Sequence, residues 1–297
     1  MPLPRILSII IDRKAGTLTD AHIAQAREMV AGRLPRILSD GEAAEIPCAA
    51  HSFSQPSLAS IRASFAGQPI DVLFTRSRGQ RKGLLVADMD STIVTSETLD
   101  ELARHAGVGE KVAAITQRSM NGEIDFDAAL RERVALLKGV DTEALERTLA
   151  ETKLTPGALT LVATMRKHNA RCALVSGGFT WFTARIAALC GFDEHHANIL
   201  GEEGGKLTGS VGEPILGRAA KREILNRLAE ERGVRPRATL AVGDGANDIE
   251  MLTDAGLGIA FHAKPVVTAA IENRIDHADL RALLFAQGYP ASAFVED

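Results

Sequence analysis

The chain has 297 residues, with 34 Lys or Arg against 38 Asp or Glu, for a formal net charge of −4. That balance excludes a broad nucleic-acid-binding surface, which needs an excess of Lys and Arg to meet phosphate. With 45 % apolar and 24 % charged residues it is neither disordered nor collagen-like, and its length allows two domains at about 100 to 200 residues each.

Taken in chain order, Arg5 to Ile11 reads as a strand, Thr19 to Ala31 as a helix and Ala43 to Ile46 as a weak strand. Pro56 to Phe65 reads as a second helix and Ile70 to Phe74 as a further strand, before the basic linker Arg76 to Gly83. Residues 1–80 are therefore expected to form a small α+β domain. Its polar cluster His51 to Gln55 reads as a loop, from the preference of Ser and Gln for turns. The apolar stretch Ile6 to Ile11 runs into Asp12, Arg13 and Lys14, too short for a signal peptide. No run approaches the roughly 20 apolar residues that span a bilayer. Cys48, Cys172 and Cys190 are widely spaced and form no Cys-x-x-Cys pair. They suggest buried thiols in a reducing cytoplasm rather than a disulfide framework or a zinc site.

From Gly83 onward three continuous apolar runs appear: Leu84 to Ala87, Cys172 to Val175 and Thr239 to Val242. Each has the length and branching of a strand buried on both faces, and helical sequence lies between them, which predicts a doubly wound parallel sheet. Four helical pieces follow the first run: Glu97 to His105, Glu110 to Asn121, Asp125 to Leu137 and Asp141 to Glu151. Gly107, Gly122 and Gly139 are placed to stop helices. That is more helix than one crossover needs, so a helical cap is expected over about 96–154. The α/β core is then 81–95 and 155–297. Lys206 to Val211 alternates between Gly residues, as in a hairpin.

Ligands of an open parallel sheet bind beyond the carboxyl ends of its strands. Here those ends carry Asp88-Met89-Asp90-Ser91-Thr92, Ser176-Gly177-Gly178-Phe179 and Gly243-Asp244-Gly245-Ala246-Asn247-Asp248. Asp88 and Asp90 project to one side of an extended segment, and like charges so close shift a pKa or recruit a cation. With Asp244 and Asp248 they form an all-oxygen set suited to Mg²⁺. Ser176-Gly177-Gly178 offers a hydroxyl and backbone N–H groups to an anion. Lys221 lies in a helix crowded with charge, and spacing alone does not select it over Arg218 or Arg222.

In that order, these four motifs resemble those of the haloacid dehalogenase-like phosphatases. From Leu84 to about Leu284 the chain is most similar to the phosphoserine phosphatase branch of that family, while residues 1–80 resemble ACT-like domains, which sense amino acids. The resemblance implies a Rossmann-like core with an inserted cap. It makes Asp88 the nucleophile and Asp90 the general acid and base. Asp88, the Asp90 carbonyl and Asp244 would hold one Mg²⁺, with Asp248 in support. Ser176, Gly177 and Lys221 would hold the phosphoryl oxygens. Glu97 would meet the substrate ammonium and Arg133 its carboxylate; Met120 and Phe126 would cover the substrate, and Asn247 would orient it. The implied activity is hydrolysis of O-phospho-L-serine, with no nucleic-acid or membrane partner, in a chain whose N-terminal domain regulates or forms a homodimer. Another small phosphomonoester, or transfer to an acceptor other than water, remains open. An amino-acid sensor with a vestigial phosphatase half is disfavoured by the intact Asp88, Asp90, Lys221 and Asp244.

Overall fold

The computed structural model describes residues 5–48, 56–120 and 123–296. The cluster His51 to Gln55 and Gly122 lie outside the described residues, as does the side chain of Met120.

The N-terminal part runs β1 (Arg5–Ile11), α1 (Asp20–Met29), β2 (Arg36–Ser39), β3 (Ala43–Pro47), α2 (Leu58–Ser64) and β4 (Ile70–Arg76). Its sheet has the order β2-β3-β1-β4, the ferredoxin-like arrangement. Thr19 caps α1 and Ser57 caps α2, each accepting a backbone N–H of the first turn. Strand alternation gives the sheet two occupied faces. Leu7, Ile9, Ala44, Ile46, Val72 and Phe74 form a core under the helices, while Ile10, Ala43 and Leu73 join the large core of the remaining chain. The sequence reading missed β2, a short edge strand with Arg36 and Ile37 exposed; so brief a half-solvated strand leaves no apolar run to detect.

The second part begins with β5 (Leu84–Ala87). It continues through α3 (Thr98–His105), α4 (Gly109–Met120), α5 (Phe126–Ala135), α6 (Glu143–Glu151), α7 (Ala158–Lys167), β6 (Arg171–Phe179), α8 (Thr180–Cys190) and β7 (Glu194–Asn198). There follow β8 (Leu200–Glu203), β9 (Lys206–Val211), α9 (Arg218–Arg232), β10 (Thr239–Gly243), α10 (Ile249–Asp254), β11 (Leu257–Phe261), α11 (Pro265–Ala270), β12 (Arg274–Ile275) and α12 (Ala282–Ala286). The six-stranded sheet β12-β11-β10-β5-β6-β7 is parallel at every pairing. Chain order reverses at β5, which lies between β10 and β6, so the three strands ending in polar motifs are neighbours at the switch point.

Helices α3 to α6 form a body above that edge, and the β8–β9 hairpin docks on it. Leu207 exchanges backbone hydrogen bonds with Gly139 and Val140, and Thr142 N–H donates to Gly205 O. The hairpin, separate in sequence, thus packs with the inserted helices. The N-terminal sheet is fixed to the second part by Asp71, whose carboxylate accepts the N–H groups of Asp276, His277 and Ala278 at 2.8, 3.1 and 2.8 Å. Arg281 pairs with Glu42 nearby at 3.0 Å. Among the described residues no helix is long and apolar enough to cross a membrane.

Candidate active site

β5 delivers Asp88 to the sheet edge, where its N–H donates to Val242 O of β10 at 3.0 Å. Its Oδ1 accepts from Met89 N–H at 2.9 Å and from Lys221 Nζ at 2.7 Å. Oδ2 is left without a protein donor among the described residues. Lys221 Nζ also donates to Asp248 Oδ1 at 2.7 Å and is fully buried. Its place follows from α9: Lys221, Leu225, Leu228 and Ala229 are the buried residues of that helix, the i, i+4, i+7, i+8 stripe of a core-facing helix. Arg218 and Arg222 lie off it, so this spacing was the signal that could have selected Lys221. Burial alone would lower the lysine pKa, but Asp248 and Asp88 outweigh it and hold the ammonium charged. Asp248 Oδ2 accepts Gly245 N–H at 3.0 Å. The chain beside it has no room for a side chain, since a Cβ on Gly243 would stand 2.4 Å from Asp248 Cγ.

One carboxylate oxygen each from Asp88, Asp244 and Asp248 lies within 4.8 Å of the others, all three residues buried. Three carboxylates face Lys221, and Lys264 reaches only Asp244 from the rim, so negative charge remains unbalanced. Burial first, then Asp248, pushes the Asp88 carboxyl upward against the pull of Lys221. Burial also raises Asp244, to about 7, against the pull of Lys264. Such a set is electrostatically incomplete, and an oxygen-only donor group short of positive charge fits a hard divalent cation.

Asp90 sits in a different environment. Its Oδ1 accepts Thr98 N–H at 2.8 Å, serving the open N-terminus of α3, and its Oδ2 accepts the Ser176 hydroxyl at 3.0 Å. Burial and then Glu97 raise its pKa to about 6, with the Thr98 and Ser176 bonds opposing. Ser176 Oγ also accepts Gly178 N–H at 2.8 Å. The hydroxyl assigned to an anion from sequence is thus engaged with the acid/base candidate. The loop is held from behind by Asn198, buried, which donates to Gly177 O at 2.8 Å and accepts Leu216 N–H at 2.6 Å.

Phe126, first residue of α5 behind the Asp125 cap, covers the same loop: a Cβ on Gly177 would stand 3.0 Å from its Cζ and 3.7 Å from Asn247 Nδ2. Arg133 lies two turns further along α5. Burial lowers its pKa while Asp100, Glu97 and Asp90 oppose, so the guanidinium faces the acidic mouth of the site. Glu97 Oε1 accepts the Ser91 hydroxyl at 2.8 Å. The fold thus gathers Asp88, Asp90, Ser176, Gly177, Lys221, Asp244, Asn247 and Asp248 at one sheet edge, with Glu97, Phe126 and Arg133 on its cap side. Met120 closes α4. Sequence reading missed Asn198, Asp100 and Lys264; the last reaches Asp244 Oδ2 at 3.5 Å and Glu97 Oε1 at 3.7 Å.

A model of the haloacid dehalogenase-like hydrolases matches residues 85–253, the stretch that carries every one of these strand-end motifs. The chain belongs to that family. A relative from Archaeoglobus fulgidus, named phosphoserine phosphatase, is 44 % identical over 212 residues, 71 % of this chain and 62 % of the relative. The chain spans 62, 51 and 64 % of the length of the first three curated relatives it matches. A solved phosphoserine phosphatase with a phospho-aspartyl intermediate analogue is 42 % identical with a TM-score of 0.65, over 69 % of this chain and 98 % of that one. A haloacid dehalogenase-like hydrolase from Salmonella enterica serovar Typhi is similar over 95 % of this chain and 98 % of its own, with a TM-score of 0.86 at 29 % identity. That likeness extends through the N-terminal sheet.

Proposed function

We infer that this chain is a Mg²⁺-dependent phosphatase that hydrolyses O-phospho-L-serine to L-serine and phosphate, the last step of L-serine biosynthesis in the cytoplasm. One observation carries the reading: Asp88, buried, and Asp90, half-buried, stand two residues apart and meet different partners. Asp88 is bound to a charged lysine with one oxygen open, and a divalent cation would add the positive charge that keeps it ionised as a nucleophile. Asp90, at about 6, exchanges a proton near neutrality, as a general acid and base must.

In the first step Asp88 attacks phosphorus, the bond from phosphorus to the serine oxygen breaks, and Asp90 gives that oxygen its proton. In the second, water attacks the aspartyl-phosphate, Asp90 takes its proton, and Asp88 and phosphate are released. Ser176, Gly177 and Lys221 are the proposed holders of the phosphoryl oxygens. Asp88, the Asp90 carbonyl and Asp244 would hold Mg²⁺, with Asp248 in support because Lys221 and Gly245 already take its oxygens. The ion supplies positive charge against the phosphoryl group. Glu97 and Arg133 would meet the substrate ammonium and carboxylate, Phe126 and Met120 would cover it, and Asn247 would orient it. The names of relatives 42 to 44 % identical support this choice of substrate.

Residues 1–80 are read as an ACT-like domain that regulates or dimerises, and their ferredoxin-like strand order agrees with that reading. The test is phosphate release from O-phospho-L-serine beside a panel of other phosphomonoesters, with Mg²⁺ present and then chelated. Activity that survives complete chelation, or a panel member preferred over phosphoserine, contradicts it.

A further inference from the structure

Lys264 connects two acidic groups with separate proposed tasks. Its Nζ lies 3.5 Å from Asp244 Oδ2, at the end of β10, and 3.7 Å from Glu97 Oε1, at the start of α3. Its backbone is fixed. Lys264 N–H donates to Asp244 O at 3.0 Å, and its own carbonyl accepts Val267 and Thr268 N–H at 2.9 and 3.1 Å as α11 begins. Two residues earlier His262 takes a left-handed conformation, φ 44°. Its N–H donates to Ile275 O at 2.8 Å, its ring nitrogen lies 3.0 Å from Ala278 O, and its ring stacks on Phe261. The stem of Lys264 therefore starts from a rigid loop, while its side chain is 41 % exposed and free to swing into water.

An ammonium on a flexible stem thus rests on the carboxylate proposed for the metal and on the carboxylate proposed for the substrate's amino group. Three cations do not share two carboxylates a few ångströms apart without strong repulsion. We propose that Lys264 is an internal competitor that occupies the acidic mouth between Asp244 and Glu97 and is displaced when the divalent cation and the substrate ammonium enter. The arrangement keeps carboxylates that would otherwise repel one another in place before the ligands arrive. It also makes Lys264 a specificity-determining residue: a phosphomonoester without an amino group displaces it from Asp244 through the metal alone, whereas an amino substrate also displaces it from Glu97. This rests on the reading of Asp244 and Glu97 given above.

The experiment is calorimetric titration of Mg²⁺ into the full chain without substrate, comparing wild type with Lys264→Met and Lys264→Arg. Removing the competing charge is expected to tighten Mg²⁺ binding by about 2- to 5-fold in the Met variant, the scale of a partly exposed ion pair. The Arg variant keeps wild-type affinity. The Met variant also lowers KM for phosphoserine more than for an aryl phosphate. Equal or weaker Mg²⁺ binding by Lys264→Met, with phosphoserine hydrolysis intact in the wild type, overturns the competitor role alone. Absence of Mg²⁺ binding in every form overturns it together with the metal reading beneath it.

Discussion

The Ser176 hydroxyl donates to Asp90 Oδ2 across 3.0 Å. This bond stabilises the ionised carboxylate and so opposes the burial and the Glu97 charge that raise Asp90 to about 6. Loss of the donor favours the protonated form and raises the pKa further. In the proposed first step Asp90 must be protonated to give its proton to the serine oxygen. Ser176→Ala is therefore expected to move the basic limb of the kcat/KM profile, which reports the free enzyme, to higher pH, measured across pH 5 to 8. A limb that stays in place or moves down removes Asp90 as the group titrating there.

Replacing Asp90 itself separates its two tasks. With Asn at position 90 the serine oxygen has no proton donor, and phosphoserine turnover should fall by roughly 10²- to 10⁴-fold. An aryl phosphate has a leaving group that departs without a proton, so its first step should survive as a burst of one phenol per active site in rapid-mixing experiments. Equal loss of the burst on both substrates assigns Asp90 to another task.

Lys221 has no substitute among the described residues. Lys221→Met leaves Asp88 and Asp248, both buried, facing each other without the ammonium between them. Breaking a buried pair in this way costs about 3 to 5 kcal/mol. The expected result is a lower urea midpoint together with lost activity, and partial recovery of the midpoint in excess Mg²⁺. An unchanged midpoint contradicts the buried-charge account.

Arg133→Ala removes the guanidinium facing Glu97, Asp100 and Asp90. A charge-assisted bond to the substrate carboxylate is worth about 1.5 to 3 kcal/mol. KM for phosphoserine should therefore rise roughly 10- to 100-fold, and much less for an aryl phosphate that has no carboxylate. Equal changes on both mean that Arg133 serves the cap's fold.

The two parts of the chain are predicted to unfold as a coupled body, because Asp71 satisfies three backbone donors across their boundary. Asp71→Ala strands those N–H groups, at about 1 to 3 kcal/mol for each that water fails to reach. The thermal midpoint should drop by several degrees with kcat/KM for phosphoserine unchanged. A lowered kcat/KM instead ties the boundary to the chemistry.

Much of the site was legible because a parallel sheet places its ligands at strand ends, and the runs ending in Asp88, Ser176 and Asp244 are continuous enough to read as buried strands. What escaped was whatever depends on which strands are neighbours. Lys264 reaches Asp244 because β11 lies beside β10, a fact that chain order does not contain. Asn198 clamps the Ser176 segment from the end of β7, and a single Asn between Ala197 and Ile199 carries no periodic signal. Lys206 to Val211, read as a hairpin, is only its second strand, paired with an unread β8, and the docking of the two on the helices around Gly139 is made by backbone groups common to every sequence. Lys221, by contrast, was concealed only by its charge. Its spacing to Leu225 and Leu228 marks a buried face, and a lysine on such a face needs the two carboxylates it has.

The most direct test of the central claim, that Asp88 carries the phosphoryl group, is acid-quenched single turnover with phosphorus-labelled O-phospho-L-serine and Mg²⁺, followed by mapping of labelled peptides. The account predicts transient label on the peptide holding Asp88, at up to one per chain, and none in Asp88→Asn. Label on another residue, or turnover retained by the Asn variant, would contradict it.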